Sequence, residues 1–185
     1  MTQSPWVKQL DLSTELHFEE FTLHTQFVHV ADVVSTPPDA KRATIITFQP
    51  VIDKTTWNDE TTQWVYILTI NNRIVKIGGT RTGLKSRVSS YLCGHHTEDR
   101  GKSGRCSVTN AYIYNTLDYV IKDGGIVKMY GFRIPSVTVH VNVWGSSVDV
   151  EAQVYNAYES KAITMYIRES GHSPQLSKNS DPVHK

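Results

Sequence analysis

Between residues 64 and 91 the apolar periodicity of the chain changes once, from 2 to 3.6, and that change restricts its fold more than any other feature. Residues 64–70 and 74–78 are two runs rich in β-branched and aromatic side chains, separated by Asn71-Asn72-Arg73, the pattern of a tight β-hairpin. The pair Gly78-Gly79 ends the second run. Leu84, Val88, Tyr91 and Leu92 then fall at i, i+4, i+7 and i+8, the apolar stripe of an amphipathic helix. The unit reads strand, strand, helix. Tyr66, Lys76 and Arg87 are placed one on each element, with Tyr91 one helical turn beyond Arg87.

Charge is concentrated on the same stretch. The chain of 185 residues has a net charge of only +1, which alone says nothing about nucleic acid. Residues 1–63 hold four Lys and Arg against nine Asp and Glu, residues 73–105 hold eight against two, and residues 106–185 hold seven of each. A basic island inside a nearly neutral chain suits a phosphate-facing groove, with Thr80, Arg81, Lys85, Arg100, Lys102, Arg105 and Asn110 as candidate DNA contacts. The competing reading is an ordinary solvated face.

At this length one domain is the simplest organisation. No run of eighteen apolar residues and no charged-then-apolar leader is present, so the reading is a soluble, cytoplasmic protein with no membrane partner. Cys93 and Cys106 are too few for a disulfide scaffold and fit free thiols in a reducing compartment. With His95 and His96 they also form a set of zinc-ligating types, although Cys-x-His-His…Cys is not a finger spacing; the alternative is two small thiols beside a DNA-contacting loop over 94–106.

Elsewhere the elements follow from local pattern. Residues 13–25 offer a short helix with Leu16, Phe18, Phe21 and Leu23 to bury, and residues 44–52 an edge strand, since Pro50 cannot donate to a central ladder. Ser107 caps a helix over 108–122 that Asp123-Gly124-Gly125 stops. Residues 126–134 form a third strand, and Val137, Val139, Val141 and Val143 alternate with polar residues in another. The last helix is expected over 148–170, where Glu151, Val154, Tyr155, Tyr158 and Ala162 share a stripe. Glu151 at the edge of a buried face is costly unless paired or bound to a cation; the competing reading is a carboxylate favoured by the helix N-terminus.

Trp64-Val65-Tyr66 and Lys76-Ile77-Gly78, followed by Arg87 on a helix, resemble the GIY-YIG nuclease superfamily, whose hairpin carries Gly-Ile-Tyr and Tyr-Ile-Gly at this separation. The likeness extends through Tyr91-Leu92-Cys93-Gly94, Glu98, Arg100, Gly104, Cys106-Ser107 and Thr109-Asn110 to the compact type II restriction endonucleases of that superfamily, where a lysine also stands in the second half-motif. Trp64 replaces the first glycine, Lys76 the second tyrosine, and Gly79 stands where related restriction enzymes can carry histidine. The resemblance spans roughly residues 64–160.

It implies an α+β fold: a small three-stranded antiparallel sheet flanked by helices, a GIY-YIG-like core over 63–170, with an N-terminal extension over 1–62 as a possible dimerisation arm and a disordered tail over 171–185. It also implies a metal-dependent endonuclease cutting a specific short sequence in double-stranded DNA, in a prokaryotic cytoplasm. In that scheme Glu151 holds one Mg²⁺ or Mn²⁺, Arg87 and Lys76 face the scissile phosphate, Tyr91 completes the phosphate contacts and Tyr66 orients or deprotonates the attacking water. Ionising a phenol at neutral pH costs roughly 3–4 kcal/mol, which the cations offset. A homing or repair nuclease with the same core and a non-catalytic DNA-binding module are the alternatives. Cutting both strands with one site per chain implies a homodimer, with Trp6, Phe18, Phe21 and Phe27 as the apolar surface offered to the partner.

Overall fold

The computed structural model describes residues 6–40, 44–93 and 107–177. Its frame is a five-stranded antiparallel sheet in the order β2-β1-β5-β3-β4. The strands are β1 (Val28–Ser35), β2 (Ile46–Pro50), β3 (Trp64–Ile70), β4 (Arg73–Thr80) and β5 (Val127–Arg133). The expected hairpin is β3–β4: Ile70 pairs with Arg73, and Asn71 and Asn72 take φ of +48° and +65°. Those are the left-handed conformations of a two-residue turn whose twist matches the strands, and asparagine tolerates them.

β3 lies between β5 and β4 and is buried along its whole length. Its side chains alternate between two cores. Trp64, Tyr66, Leu68 and Ile70 join Leu84, Val88 and Tyr91 of α2 (Gly83–Leu92) and Ile113, Tyr114 and Leu117 of α3 (Val108–Lys122). Val65 and Ile67 face the other way, with Ala162, Ile163 and Tyr166 of α4 (Tyr155–Ser170). A short α1 (Lys54–Asn58), capped by Asp53, fills the first core with Trp57. As read from sequence, α3 is capped by Ser107, whose side chain accepts from the Asn110 N–H, and the chain leaves it through Gly124 at φ +83°.

Five expectations are corrected. The α+β class stands, but the sheet has five strands, not three, because residues 28–50 add β1 and β2 to β5 rather than standing apart as an arm. Phe18, Phe21 and Phe27 are buried in the chain's own second core, so they offer no surface to a partner. Residues 13–25 form single turns, not a helix, because their backbone is drawn outward to the sheet: the Phe18 N–H donates to Asn72 O and the Ile74 N–H to Leu16 O. Residues 171–177 of the expected tail pack on the sheet: Leu176 is buried, its N–H donates to Val75 O, and the Ile77 N–H donates to Ser177 Oγ.

The fifth correction bears on the site. Residues 148–151 are not the first turn of the last helix but part of a strand, β7 (Ser146–Glu151), paired with β6 (Thr138–Val143) in a separate two-stranded ribbon. Ser146-Ser147-Val148-Asp149-Val150-Glu151 alternates with period two, and Val139 and Val141 pair with Val150 and Val148. Among the described residues no helix is long and apolar enough to cross a membrane.

Candidate active site

β4 is an edge strand, and the candidate site lies across it, with α2 on one face and α4 on the other. Tyr66 on β3 sits directly opposite Gly78 on β4. A Cβ at Gly78 would collide with the Tyr66 hydroxyl, so the glycine of Lys76-Ile77-Gly78 is the space the phenol occupies. α2 then brings Arg87 and Tyr91, one turn apart, over the same phenol. The Tyr66 and Tyr91 hydroxyls hydrogen-bond to each other. Arg87 Nε donates to Tyr66 Oη at 2.8 Å and Nη2 to Tyr91 Oη at 3.0 Å, while its guanidinium carbon lies 4.5 Å from the Tyr91 ring centroid. One planar fork thus orients two phenols, which a lysine ammonium lacks the geometry to do.

Lys76 is 5% exposed, with Nζ within 3.4 Å of the Leu176 carbonyl. Burial, reinforced by the Arg87 charge and opposed by Glu159, brings its pKa down to about 8. Burial also pushes the Tyr66 hydroxyl above the usual phenol range, against the pull of Arg87 and of the bond to Tyr91, and pushes Tyr91 further still. Arg87 remains charged: burial opposes the cation, but the two phenol oxygens together outweigh it.

The carboxylate of this cluster is Glu159, which the sequence reading passed over. Glu159 and Tyr155 lie one turn apart on α4, and a Cβ at Gly79 would come within 2.8 Å of both Glu159 Oε2 and Tyr155 Cδ2. Burial raises the Glu159 pKa, while Lys76, Arg87 and the nearby Gly79 backbone N–H hold it down. Glu151, the expected metal ligand, lies instead at the end of the exposed ribbon, where it accepts from Ser136 Oγ at 3.0 Å. The cause is that residues 146–151 form a strand: a helix begun at Val148 would put Glu151 at the start of the apolar stripe, whereas α4 begins at Tyr155. One signal was available, since Tyr155, Glu159, Ala162, Ile163 and Tyr166 fall at i, i+4, i+7, i+8 and i+11.

Gln63 also went unnoticed. It is 7% exposed; its Oε1 accepts from the Val154 and Tyr155 N–H groups at 2.8 and 3.1 Å, and its Nε2 donates to Ala152 O at 2.8 Å. Val154 caps α4 without a side-chain bond, so Gln63 serves as a cap supplied from the start of β3. A glutamine between Thr62 and Trp64 has no local pattern that announces this.

The candidate DNA contacts divide. Arg81 and Lys85 are exposed near the site, Arg81 donating weakly to Gln153 Oε1 at 3.4 Å and Lys85 lining a groove of ≈ 680 Å³ between α1 and α2. Thr80 is buried and shapes the turn into α2, its hydroxyl accepting from the Thr82 N–H. Asn110 ties α3 to α2 by donating to Ser90 O at 2.9 Å. Arg100, Lys102, Arg105, and the zinc set apart from Cys93, lie outside the described residues. Among the described residues no group of three His, Cys, Asp or Glu side chains is arranged to hold a metal. A single carboxylate beside two cations still suits a hard ion such as Mg²⁺, which keeps several waters and takes further ligands from substrate phosphate.

No protein-family model matches the sequence, and no curated protein matches it in sequence. Solved structures do match. The chain is similar to restriction endonuclease HPY188I in complex with product DNA, at 25% identity and a TM-score of 0.59, over 94% of this chain and 95% of that one. It is similar in fold to a mutant of bacteriophage T4 EndoII, at 17% identity and a TM-score of 0.50, over 82% of this chain and 95% of that one. The fold is that of a restriction-type nuclease.

Proposed function

We propose that this chain is a metal-dependent endonuclease that hydrolyses phosphodiester bonds at a specific short site in double-stranded DNA, a type II restriction enzyme of the GIY-YIG kind. The observation that carries the reading is the bonding of Arg87 to two buried phenols beside Lys76, with Glu159 reaching the same edge strand from the opposite helix. Likeness along nearly the whole chain to a restriction endonuclease bound to product DNA supports it.

Hydrolysis of a phosphodiester needs an oriented water, cations for the charge that develops on the phosphoryl oxygens, and help for the departing sugar oxygen. The Arg87 N–H groups not engaged by phenols, and the Lys76 ammonium, receive the phosphate. Tyr66 positions the water through its hydroxyl; burial opposes a standing phenolate, so the residue works as an orienting group until charge arrives at the site. Glu159, rather than Glu151, is the residue that would hold Mg²⁺ or Mn²⁺. When bound, such an ion polarises the phosphoryl oxygen and stabilises the leaving oxygen.

Incubating the protein with mixed-sequence plasmid and Mg²⁺ tests the reading. Discrete fragments are expected. Diffuse nicking would favour a repair-type nuclease, and intact DNA at high enzyme concentration would sink the proposal.

A further inference from the structure

The β6–β7 ribbon carries a surface that the nuclease reading does not use. All twelve residues of its two strands are exposed, and it is fixed at its root, where the Ala152 N–H donates to Val137 O and Gln63 holds Ala152. Directly paired residues share a face. The register therefore gathers Val139, Val141, Val143, Val148 and Val150 on one side, and Thr138, His140, Asn142, Ser147, Asp149 and Glu151 on the other. The polar side is internally satisfied in part by the hydrogen bond between His140 Nδ1 and Asp149 Oδ1. Among the described residues nothing covers the valine side.

The tip is equally apolar. Trp144 is entirely exposed and, with Gly145, forms a two-residue turn at φ +49° and +84°. Such a turn favours Asn-Gly, and the left-handed conformation costs a residue with a Cβ on the order of 1 kcal/mol. The β3–β4 turn meets the same demand with Asn71 and Asn72. A tryptophan in this place is costly for the isolated chain, and a lone two-stranded ribbon is marginal in water.

We infer that the valine face of residues 138–151 is the contact between two copies of this chain, which pack ribbon on ribbon about a two-fold axis. Three observations select this occupant. Residues 137–151 contain no Lys or Arg and two acids, Asp149 and Glu151, so the ribbon repels phosphate and does not suit a nucleic-acid groove. The segments outside the described residues contain no Leu, Ile, Phe or Trp and only Val183 among the β-branched apolar types, so the chain holds no segment apolar enough to cover the face. The face carries no charge, hence it complements itself, as an isologous contact requires. Valines 36–43% exposed and a bare tryptophan offer roughly 500–600 Å² per copy, which doubles to near the lower bound of a specific interface. Stacked ribbons make a small four-stranded sandwich, the usual way two apolar sheet faces are buried. The inference stands without the nuclease reading, and its test needs no DNA.

Light scattering on the full chain at tens of micromolar should give twice its 20.9 kDa mass. The triple variant Val139→Thr, Val141→Thr, Val148→Thr keeps β-branched shape while removing apolar surface, and should be monomeric with unchanged circular dichroism. Trp144→Asn suits the turn better, so it should weaken the dimer at least tenfold without lowering the melting temperature, which separates lost contact from lost folding. A monomeric wild-type chain at that concentration, or a triple variant that still dimerises, would overturn the inference. So would a monomer whose DNA affinity falls in the valine variants, since the ribbon would then be a DNA reader.

Discussion

Glu159 stands over Gly79: the space a Cβ would fill there lies 2.8 Å from its Oε2, and the backbone N–H of that glycine helps hold the carboxyl pKa down. Across the same edge strand, Gly78 leaves room for the Tyr66 hydroxyl. The two glycines therefore admit catalytic candidates from opposite faces of one strand. Gly79→Ala should push Glu159 and Tyr155 away while the sheet persists. Misplacement on this scale lowers turnover by on the order of 10²-fold, with the melting temperature nearly unchanged, as paired cleavage and thermal-melt assays would register.

The choice between carboxylates can be made directly. Glu159→Gln should abolish Mg²⁺-dependent cleavage, leaving DNA affinity within a few-fold because binding rests mainly on phosphate contacts elsewhere. Glu151→Gln, on the exposed ribbon, should cleave normally. The reverse pattern would return the metal to Glu151.

Tyr66, Lys76, Arg87 and Tyr91 were legible in the sequence because hairpin and helix are local structures, and register alone then brings them together. Glu159 depended on where α4 begins, which depended on recognising 146–151 as a strand whose partner is its near neighbour yet which joins no larger sheet. The edge strand expected over 44–52 is present as β2, but that it and β1 join the same sheet was hidden for a related reason: a strand joins a sheet through partners remote in sequence, and Val28 meets Gly131. Gln63 was invisible because its role is to satisfy backbone groups some ninety residues away.

Arg87→Lys keeps a positive charge but not the fork that engages both phenols. Turnover should fall by roughly 10²-fold or more, whereas Lys85→Ala should mainly weaken binding and lower its salt dependence by about one unit of log–log slope. Equal losses in affinity for the two variants would make Arg87 a binding residue only.

Lys76 supplies a prediction about pH. In the unfolded chain it titrates near 10.5, in the folded one at about 8, so the unfolded state holds more protons between those values and stability rises with pH across that window. Lys76→Met should remove the rise and increase stability at pH 7, by ~3 kcal/mol as an upper bound. If the ammonium serves the phosphate, kcat/KM should decline above pH 8, and Lys76→Arg should lose that alkaline limb. Denaturant titrations and pH–rate profiles of the three proteins would show it; a wild-type rate that climbs through pH 8 would mean that neutral lysine is the active form.

Gln63→Ala would leave the Val154 and Tyr155 N–H groups and the Ala152 carbonyl without their buried partner. Each such loss costs about 1–3 kcal/mol where water cannot replace the bond, so destabilisation of a few kcal/mol is expected. The damage should be local, because the freed groups all lie between the ribbon and the first turn of α4, which carries Tyr155 and, one turn on, Glu159. Gln63→Glu keeps an oxygen for the two N–H groups and loses only the donor to Ala152 O, so it should recover much of the stability. Hydrogen exchange at Val154 and Tyr155 would follow this directly: fast in Gln63→Ala, intermediate in Gln63→Glu, slow in the wild type. Uniformly slow exchange in all three would mean that α4 needs no cap from β3.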